Sequence, residues 1–403
     1  MDKQFEYIDL YSGCGGLSLG MHLANWSALF AVEKNPDAFE TLSYNLIERN
    51  SHFCWPEWLP KEPHDIDVMI KKYKKQLMSL RGTVKLVAGG SPCQGFSLAG
   101  ERDEGDERNK LVDSYLKFVD LVRPESVLFE NVKGFTMEFG RKSKLDCGKK
   151  YSVYIIEALT KRGYNVSCDI VDFSQFGIPQ TRNRFILFAS KIYDTKQFFE
   201  LLFDNREDFL KNKKLSITAT LEDAISDLKR EFGTVQCPDA KSFISGLYGR
   251  SCTKYQRYCR RSVKKSQIPD SHRFAKHKAS TVTRFNELLN LNQKNMNLSL
   301  KLKDTYDVKK NCITVLDALK PCPTLTSHPD DHIHYKEPRI LTVREYARIQ
   351  SFPDWFFFRG KYTTGGQLRK TDVPRYTQIA NAIPPLFAEQ VGIALSSVMK
   401  QDL

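Results

Sequence analysis

The sequence predicts an α/β protein: an open sheet of apolar strands flanked by helices, followed by a second, less regular domain. Three observations predict this. Short apolar runs alternate with helical patterns through the first 190 residues. The first run enters a glycine-rich turn, Ser12-Gly13-Cys14-Gly15-Gly16, that leads into a helix, which is how a nucleotide-binding βαβ unit opens. Beyond residue 190 the alternation breaks down, and lysine and phenylalanine dominate as far as Lys214. A chain of 403 residues is long enough for two domains, the larger with a substantial core.

Residues 6–11 (EYIDLY) give the first strand, and Leu17, Met21 and Ala24 give the following helix its apolar spacing. Glycines in the turn let the backbone approach a ligand at a helix N-terminus. The dinucleotide fingerprint fits poorly, because Ser18 stands where its third glycine belongs. A second strand, residues 28–32, ends in Glu33. An acid there can accept both hydroxyls of an adenosine ribose, although alone it reads as a solvated strand-end charge. Pro36 starts a helix that runs to Ile47, residues 50–63 are a Pro/Trp-rich connection, and residues 68–80 are a lysine-rich helix.

The strand at residues 84–88 opens into Gly89-Gly90-Ser91-Pro92-Cys93-Gln94-Gly95-Phe96-Ser97. Pro92 fixes its own φ and biases Ser91 towards extended backbone, so Cys93 is held at a strand's end in a glycine-rich loop. That placement suits a nucleophile; on this stretch alone, a small buried thiol is an equal reading. The polar, glycine-punctuated residues 94–109 read as a mobile lid over Cys93.

A helix at 111–122 leads to a strand at 126–129 that ends in Glu130-Asn131-Val132. This places another carboxylate on the edge where open α/β sheets hold ligands. A helix at 152–162 and a strand at 166–171 follow, then Gln180-Thr181-Arg182-Asn183-Arg184 and a last apolar strand at 185–189. Arg182 and Arg184, two apart, are expected on one side of an extended segment. Such pairs are often plain surface charge; the neighbouring strand ends favour a ligand role.

A net charge of +13 suggests a polyanionic partner, nucleic acid before membrane surface. Between residues 250 and 278, ten Lys and Arg stand against one acid, Asp270, with Tyr255, Tyr258 and Phe274 interleaved and Tyr248 just before them. Arg250, Lys254, Arg257, Arg260, Arg261, Lys264 and Lys265 are the candidate phosphate contacts, and the rings are expected to add stacking. A disordered basic loop is the plainer alternative. No apolar run approaches a membrane span and the first residues, MDKQ, are no signal peptide, which points to a reducing cell interior. Ten scattered cysteines, with no C-x-x-C pair or tight Cys/His cluster, argue against a disulfide framework or a bound metal. His272 and His277 are too loosely spaced to claim as ligands. Thr342-Val343-Arg344-Glu345 reads as a capping box opening a helix, and a helix from Gln378 to about Met399 closes the sequence.

By its motifs the chain resembles the DNA cytosine-5 methyltransferase family. The glycine turn is similar to that family's cofactor motif, Ser91-Pro92-Cys93-Gln94 to its nucleophile motif, and Glu130-Asn131-Val132 to its acid motif. Residues 180–184 resemble its paired-arginine motif, and residues 339–353 and 378–385 its two C-terminal motifs. Six matches in the family's order are hard to obtain by chance. The resemblance implies a Rossmann-like methyltransferase fold with a mixed, mostly parallel sheet flanked by helices. It implies a catalytic, S-adenosylmethionine-binding domain over residues 1–215, a smaller irregular target-recognition domain over 216–370, and a segment, 371–403, that returns to the first.

Carried over by position, the resemblance implies that Tyr11, Gly13, Cys14, Gly15 and Gly16 line the cofactor and that Glu33 takes its ribose. Asp65 and Ile66 would contact adenine, Pro92 and Leu111 would pack nearby, and Asn381 with Ile383 would close over it. Ala380 and His64 stand where the family usually has glycine. Cys93 would add to carbon 6 of a flipped-out cytosine, a protonated Glu130 would meet N3, and Arg184 would bind O2 with Arg182 in support. The implied activity is methylation of carbon 5 of cytosine in double-stranded DNA, by a monomer in the bacterial cytoplasm, associated with the nucleoid. A cognate restriction endonuclease encoded nearby is compatible with it. The nearest rival is an RNA cytosine-5 methyltransferase of the same fold, whose members usually carry Pro-Pro-Cys and Cys-Phe-Thr; here Ser91 precedes Pro92 and no Cys-Phe-Thr occurs. A catalytically silent DNA-binding regulator is the rival from another class, and intact Cys93, Glu130 and Arg184 argue against it. A nicotinamide oxidoreductase is a distant third.

Overall fold

The computed structural model describes residues 6–91, 110–137, 151–264, 267–365, 368 and 371–401. Pro92, Cys93, the lid expected over 94–109 and Lys265 lie outside the described residues. The chain forms two compact units. The first takes Met1–Asp172, Asn183–Arg206 and Phe387–Leu403, and the second takes Phe173–Arg182 and Glu207–Leu386.

The first unit is built on six strands: β1 (Glu6–Leu10), β2 (Ser27–Val32), β3 (Leu86–Gly89), β4 (Ser126–Val132), β5 (Asn165–Asp172) and β6 (Asn183–Ser190). Their order is β2-β1-β3-β4-β6-β5, with β1 to β4 parallel and β6 antiparallel to both of its neighbours. The sheet is therefore mixed and mostly parallel, as the resemblance implies. Strands covered on both faces must be apolar almost throughout. Ile8, Leu10, Phe30, Val87 and Phe129 are wholly buried in one continuous core. The register is level at one edge: Leu10 pairs with Gly89, Gly89 with Phe129, and Val132 with Arg184 at the start of β6.

The helices of this unit start where local chemistry satisfies their first N–H groups. Helix α1 (Gly16–Leu23) follows the glycine turn, and α2 (Pro36–Leu42) begins with Pro36 and an Asn35 side chain that accepts from the Ala38 N–H at 3.1 Å. The helix expected to run on to Ile47 ends at Leu42 and continues as a wider-wound turn over Ser43–Glu48. The lysine-rich helix is two, α3 (Ile66–Lys72) and α4 (Lys74–Ser79), broken at Tyr73. Helices α5 (Lys110–Val122) and α6 (Tyr151–Thr160) follow the pattern of their sequences. Helix α7 (Thr195–Asp204), and α8 (Arg206–Asn212), which from Glu207 on belongs to the second unit, fill the stretch where only a change of composition was apparent.

The second unit contains α9 (Leu221–Ile225), the hairpin β7 (Thr234–Gln236) and β8 (Ile244–Gly246), and α10 (Lys254–Cys259). It continues through α11 (Ala279–Leu289), α12 (Leu300–Thr305), the short pair β9 (Thr314–Val315) and β10 (His332–Ile333), and α13 (Val343–Ile349). The capping box at α13 forms: Thr342 accepts from the Glu345 N–H at 3.3 Å, and Glu345 accepts from the Thr342 N–H at 2.7 Å.

The closing helix is not continuous. Helix α14 (Arg375–Asn381) stops before Pro384 and Pro385, and α15 (Pro385–Gln401) restarts there, because proline inside a helix removes a donor and collides with the preceding turn. The stretch Arg375–Lys400 is long and apolar enough to span a membrane, which corrects the expectation that no such run exists; most of it is buried within the protein. Within the first unit, the Trp26 indole donates to Gly392 O at 2.9 Å and Ser396 Oγ at 2.8 Å on α15.

Candidate active site

The level edge of the sheet gathers most of the residues singled out in the first unit. At the end of β1 the chain turns through Tyr11 (φ 55°), Gly13 (φ 55°) and Gly15 (φ 90°), left-handed values that glycine adopts without strain. Gly13 N–H donates to Glu33 Oε2 at 2.9 Å and Asn35 N–H to Glu33 Oε1 at 2.7 Å, so the acid at the end of β2 is tied to the turn. Burial pushes the Glu33 carboxyl up against the opposing pull of these N–H groups. The Tyr11 hydroxyl donates to Leu111 O at 2.8 Å, joining the turn to the start of α5. His64 N–H donates to Glu33 O at 2.7 Å, which sets Asp65 and Ile66 beside the end of β2.

Several of these side chains have local duties as well. Asp65 caps α3, accepting from Asp67 N–H at 3.0 Å and Val68 N–H at 3.2 Å, and pairs with Lys34 at 2.9 Å. Its partial burial works against ionisation, but Lys34 and the two N–H groups outweigh it and hold the carboxyl below its usual range. Ile66 points into the core. Cys14 is buried and its thiol is pushed up to about 12, so any part it takes is through its backbone, not as a thiolate.

The turn fits an adenosine-bearing cofactor on its own geometry. Left-handed glycines open the backbone, a half-buried carboxylate is tied to the turn, and the buried Ser12 hydroxyl meets no partner among the described residues. Behind the turn sits a pair that the sequence did not reveal. Asp9 on β1 is buried, takes a 2.5 Å hydrogen bond from Ser18 Oγ, and leaves its Oδ1 without a donor among the described residues. Burial raises its carboxyl to about 7.

Next along the edge, β3 and β4 leave the sheet side by side. A side chain at Gly90 would put its Cβ 2.3 Å from Glu130 O and 2.8 Å from Glu130 Oε2, so only glycine lets the chain leaving β3 pass so close to this acid. Asn131, wholly buried, donates to Ser91 O at 3.3 Å and Ser91 Oγ at 3.4 Å, clamping the chain two residues before Cys93. Glu130 in turn meets Arg184: Nε to Oε1 is 2.9 Å, with side chains 11 % and 14 % exposed, so each compensates the other's charge where little water reaches.

The structure does not treat the two arginines alike. Arg184 lies within β6, whereas Arg182 precedes the strand, is buried, and belongs to the second unit. Asn381 and Ile383 also belong to the second unit.

In the second unit, the basic stretch from Arg250 onward forms α10 and its flanks instead of an irregular loop. Tyr255, Tyr258 and Phe274, expected to stack on a ligand, are buried. The helical spacing of Tyr255, Tyr258 and Cys259 makes them the inner face of α10. Arg250, Lys254, Arg257 and Lys264 are exposed, while Arg260 is turned inward, over Tyr248 at 4.3 Å and onto Gly249 O at 2.7 Å and Asp227 at 3.4 Å. Arg261 and Lys213 both stack on the Tyr258 ring, at 3.9 and 5.8 Å, which brings the residue that follows α8 to the same ring.

Comparison with known proteins shows the family. Residues 5–397 match the family model described as C-5 cytosine-specific DNA methylase. The type II methyltransferase M.DdeI of Desulfomicrobium norvegicum is 31 % identical over 405 residues, spanning 96 % of this chain and 88 % of that protein. The type II methyltransferase M.XorII of Xanthomonas oryzae pv. oryzae is 28 % identical, spanning 98 % and 85 %. Among solved structures, a DNA modification methyltransferase encoded within an Escherichia coli prophage superposes with a TM-score of 0.65 at 23 % identity, over 98 % of this chain and 100 % of that one, a likeness of fold.

Proposed function

Since the chain belongs to the C-5 cytosine-specific DNA methylase family and is a DNA cytosine methyltransferase, we propose that it methylates carbon 5 of a flipped-out cytosine in a specific duplex sequence, through a covalent adduct on Cys93. The observation that carries this reading is the Glu130–Arg184 pair at the sheet edge, beside the point where the chain leaves β3 for Cys93.

Carbon 5 of cytosine is a weak nucleophile until a thiolate adds to carbon 6. Cys93 supplies that sulfur, forming the S–C6 bond and sending charge towards N3 and O2. Arg184 turns its guanidinium to O2. Glu130, losing its counter-charge in a mostly buried position, takes up a proton and donates it to N3. Arg182 supports the arginine arm. S-adenosylmethionine, when bound, supplies an electrophilic methyl group to carbon 5; loss of the C5 proton and expulsion of the Cys93 thiolate then restore the aromatic ring.

Tyr11, the Gly13–Gly16 turn, Glu33, Asp65, Ile66, Pro92 and Leu111 hold that cofactor, and Asn381 and Ile383 are further candidates for it. A base stacked in a duplex cannot reach a buried pair of this kind, so it must be extruded, at a cost of roughly a few kcal/mol. The second unit reads the target sequence, with Arg250, Lys254, Arg257 and Lys264 on phosphates.

Cys93→Ala is expected to retain S-adenosylmethionine and to transfer no methyl group. Covalent trapping on duplex DNA carrying 5-fluorocytosine checks the adduct: wild type should form a denaturation-resistant complex, and an equal yield from the alanine variant would refute the role of Cys93.

A further inference from the structure

The second unit contains an arginine whose surroundings differ from those of its neighbours. Four of its buried arginines donate to a carboxylate: Arg339 to Glu345, Arg344 to Asp270, Arg348 to Asp227 and Asp354, and Arg375 to Asp239. Arg273, half-buried in the stretch between β8 and α11, does not; among the described residues no acceptor meets its guanidinium. It is held by rings instead. Its Cζ lies 3.8 Å from the centre of the Tyr362 ring and 4.1 Å from that of Phe243. Two rings thus pack against a guanidinium whose donors meet no acceptor among the described residues.

The stack is anchored. Tyr362 also carries Arg375 over its ring at 4.1 Å and donates its hydroxyl to Asp239 at 2.8 Å, and Arg375 is fixed in turn by Asp239 at 2.6 Å and Ser271 at 3.0 Å. Phe243 carries Lys276 at 4.9 Å. The single carboxylate in the column, Asp239, is thus engaged by Arg375 and Tyr362, and the Arg273 charge has no acid of its own among the described residues.

We propose that Arg273 is a specificity-determining residue that reads a guanine in the target duplex through paired hydrogen bonds to O6 and N7. This rests on the reading of the chain as a DNA cytosine methyltransferase. A planar fork with five donors matches those two acceptors, which lie side by side in the major groove. A phosphate is the other ligand of the same chemistry. The exposed cations of α10 and its flanks suit it better, because a phosphate contact tolerates movement whereas base readout needs a donor edge fixed in advance. The rings and the Arg375 anchor provide that fixing, and they keep water off the guanidinium faces.

The test begins with the intact protein and its own target sequence, mapped by bisulfite sequencing of DNA from expressing cells. Duplexes of that sequence are then made with 7-deazaguanine at each guanine in turn, which removes N7 and leaves base pairing intact. With wild type, one position should lower kcat/KM by about 10- to 100-fold. With Arg273→Lys and Arg273→Ala that same substitution should cost little more, and the bisulfite map should relax at that position alone. Unchanged sensitivity in both variants would overturn the assignment. So would an equal loss on every duplex with a flatter salt dependence, which marks a phosphate contact, or a wild type indifferent to 7-deazaguanine throughout. If wild type methylates no cytosine, the functional reading itself fails; if it methylates normally and only the guanine coupling is missing, the failure belongs to Arg273.

Discussion

The two compact units of this chain differ in what they bury. In the first, the centre is hydrocarbon: Ile8, Phe30, Val87, Phe129 and Leu187 are wholly buried in one core between sheet and helices. The second also has a hydrocarbon core, with Leu288, Val315 and Ile333 wholly buried, but beside it lies a buried network of charges. Arg344, Glu345, Arg348 and Asp354 are each wholly buried, and Arg348 alone donates to Asp227 at 2.7 Å, Asp354 at 2.7 Å and Ala224 O at 2.8 Å. A hydrocarbon core gains stability from every square ångström it covers and tolerates loose substitution. A buried ion network must first offset the desolvation of its charges, so what it adds is one fixed geometry. The unit that carries the sheet can be generic; the unit proposed to read a DNA sequence is fixed by directional bonds.

Breaking the network at its hub should give the largest effect. Arg348→Met takes from the buried Asp227 and Asp354 the cation they share, leaving only the longer contacts of Arg260 and Arg344, at a cost of about 3–5 kcal/mol. Phe129→Ala in the first unit costs a similar amount by opening a cavity. Repair separates the two cases. Replacing Asp227 and Asp354 by apolar residues in the Arg348→Met background should recover much of the loss, because an uncharged core needs no counter-ion. Urea unfolding measures each step. A single Arg348→Met costing under about 1 kcal/mol would remove the contrast between the units.

One buried carboxyl in each unit should also respond to pH with opposite sign. In the second, Asp354 is held below its usual range by Arg348 despite burial, so its stabilisation is present at neutral pH and is lost as pH falls through that lowered value. In the first, burial raises Asp9 to about 7; Ser18 opposes the shift and the nearby Glu33 adds to it. A raised carboxyl contributes stability that is whole below about pH 4 and is lost as pH rises through about 7. Asp9→Asn removes the titration. Its stability relative to wild type should therefore improve by roughly 2–3 kcal/mol between pH 5 and pH 8. Urea midpoints at the two pH values check this, and a constant difference would mean that Asp9 does not change charge in that window.

The same contrast explains what the sequence disclosed. Strands β1 to β4 were legible because burial on both faces leaves unbroken apolar runs, and their ends, Glu33 and Glu130, could be placed on one edge for that reason. The direction of β6 was not legible, since an apolar run reads alike in either sense. Helix α7 was missed although Asp194 caps it and Phe198, Leu201 and Leu202 have helical spacing; the excess of lysine and phenylalanine hid the period. In the second unit the capping box of α13 was visible because its partners, Thr342 and Glu345, are three residues apart. The partners of Arg348 were not, because Asp227 lies 121 residues away and an ion pair leaves no periodic trace. The Asp9–Ser18 pair escaped for a related reason, as an acid inside an apolar strand looks like an interruption until its partner is seen.

A smaller effect tests the comparison within the second unit, on cations of one short stretch. Arg250, Lys254, Arg257 and Lys264 face solvent, whereas Arg260 is spent on Gly249 O, Asp227 and the Tyr248 ring. Neutralising the four exposed residues should leave unfolding within about 0.5 kcal/mol per site. The same change should reduce the slope of log affinity against log salt by up to about 0.9 for each phosphate that no longer meets a cation. Arg260→Ala should do the reverse, lowering stability by about 1–2 kcal/mol with little change in slope, because it leaves the buried Asp227 with one donor fewer and uncovers the Tyr248 ring. Binding to a non-target duplex across a salt series, alongside urea unfolding of each variant, reads both quantities. If Arg260→Ala flattened the salt dependence as much as the exposed substitutions, inward and outward cations would not be distinct, and the network would extend to the nucleic-acid face.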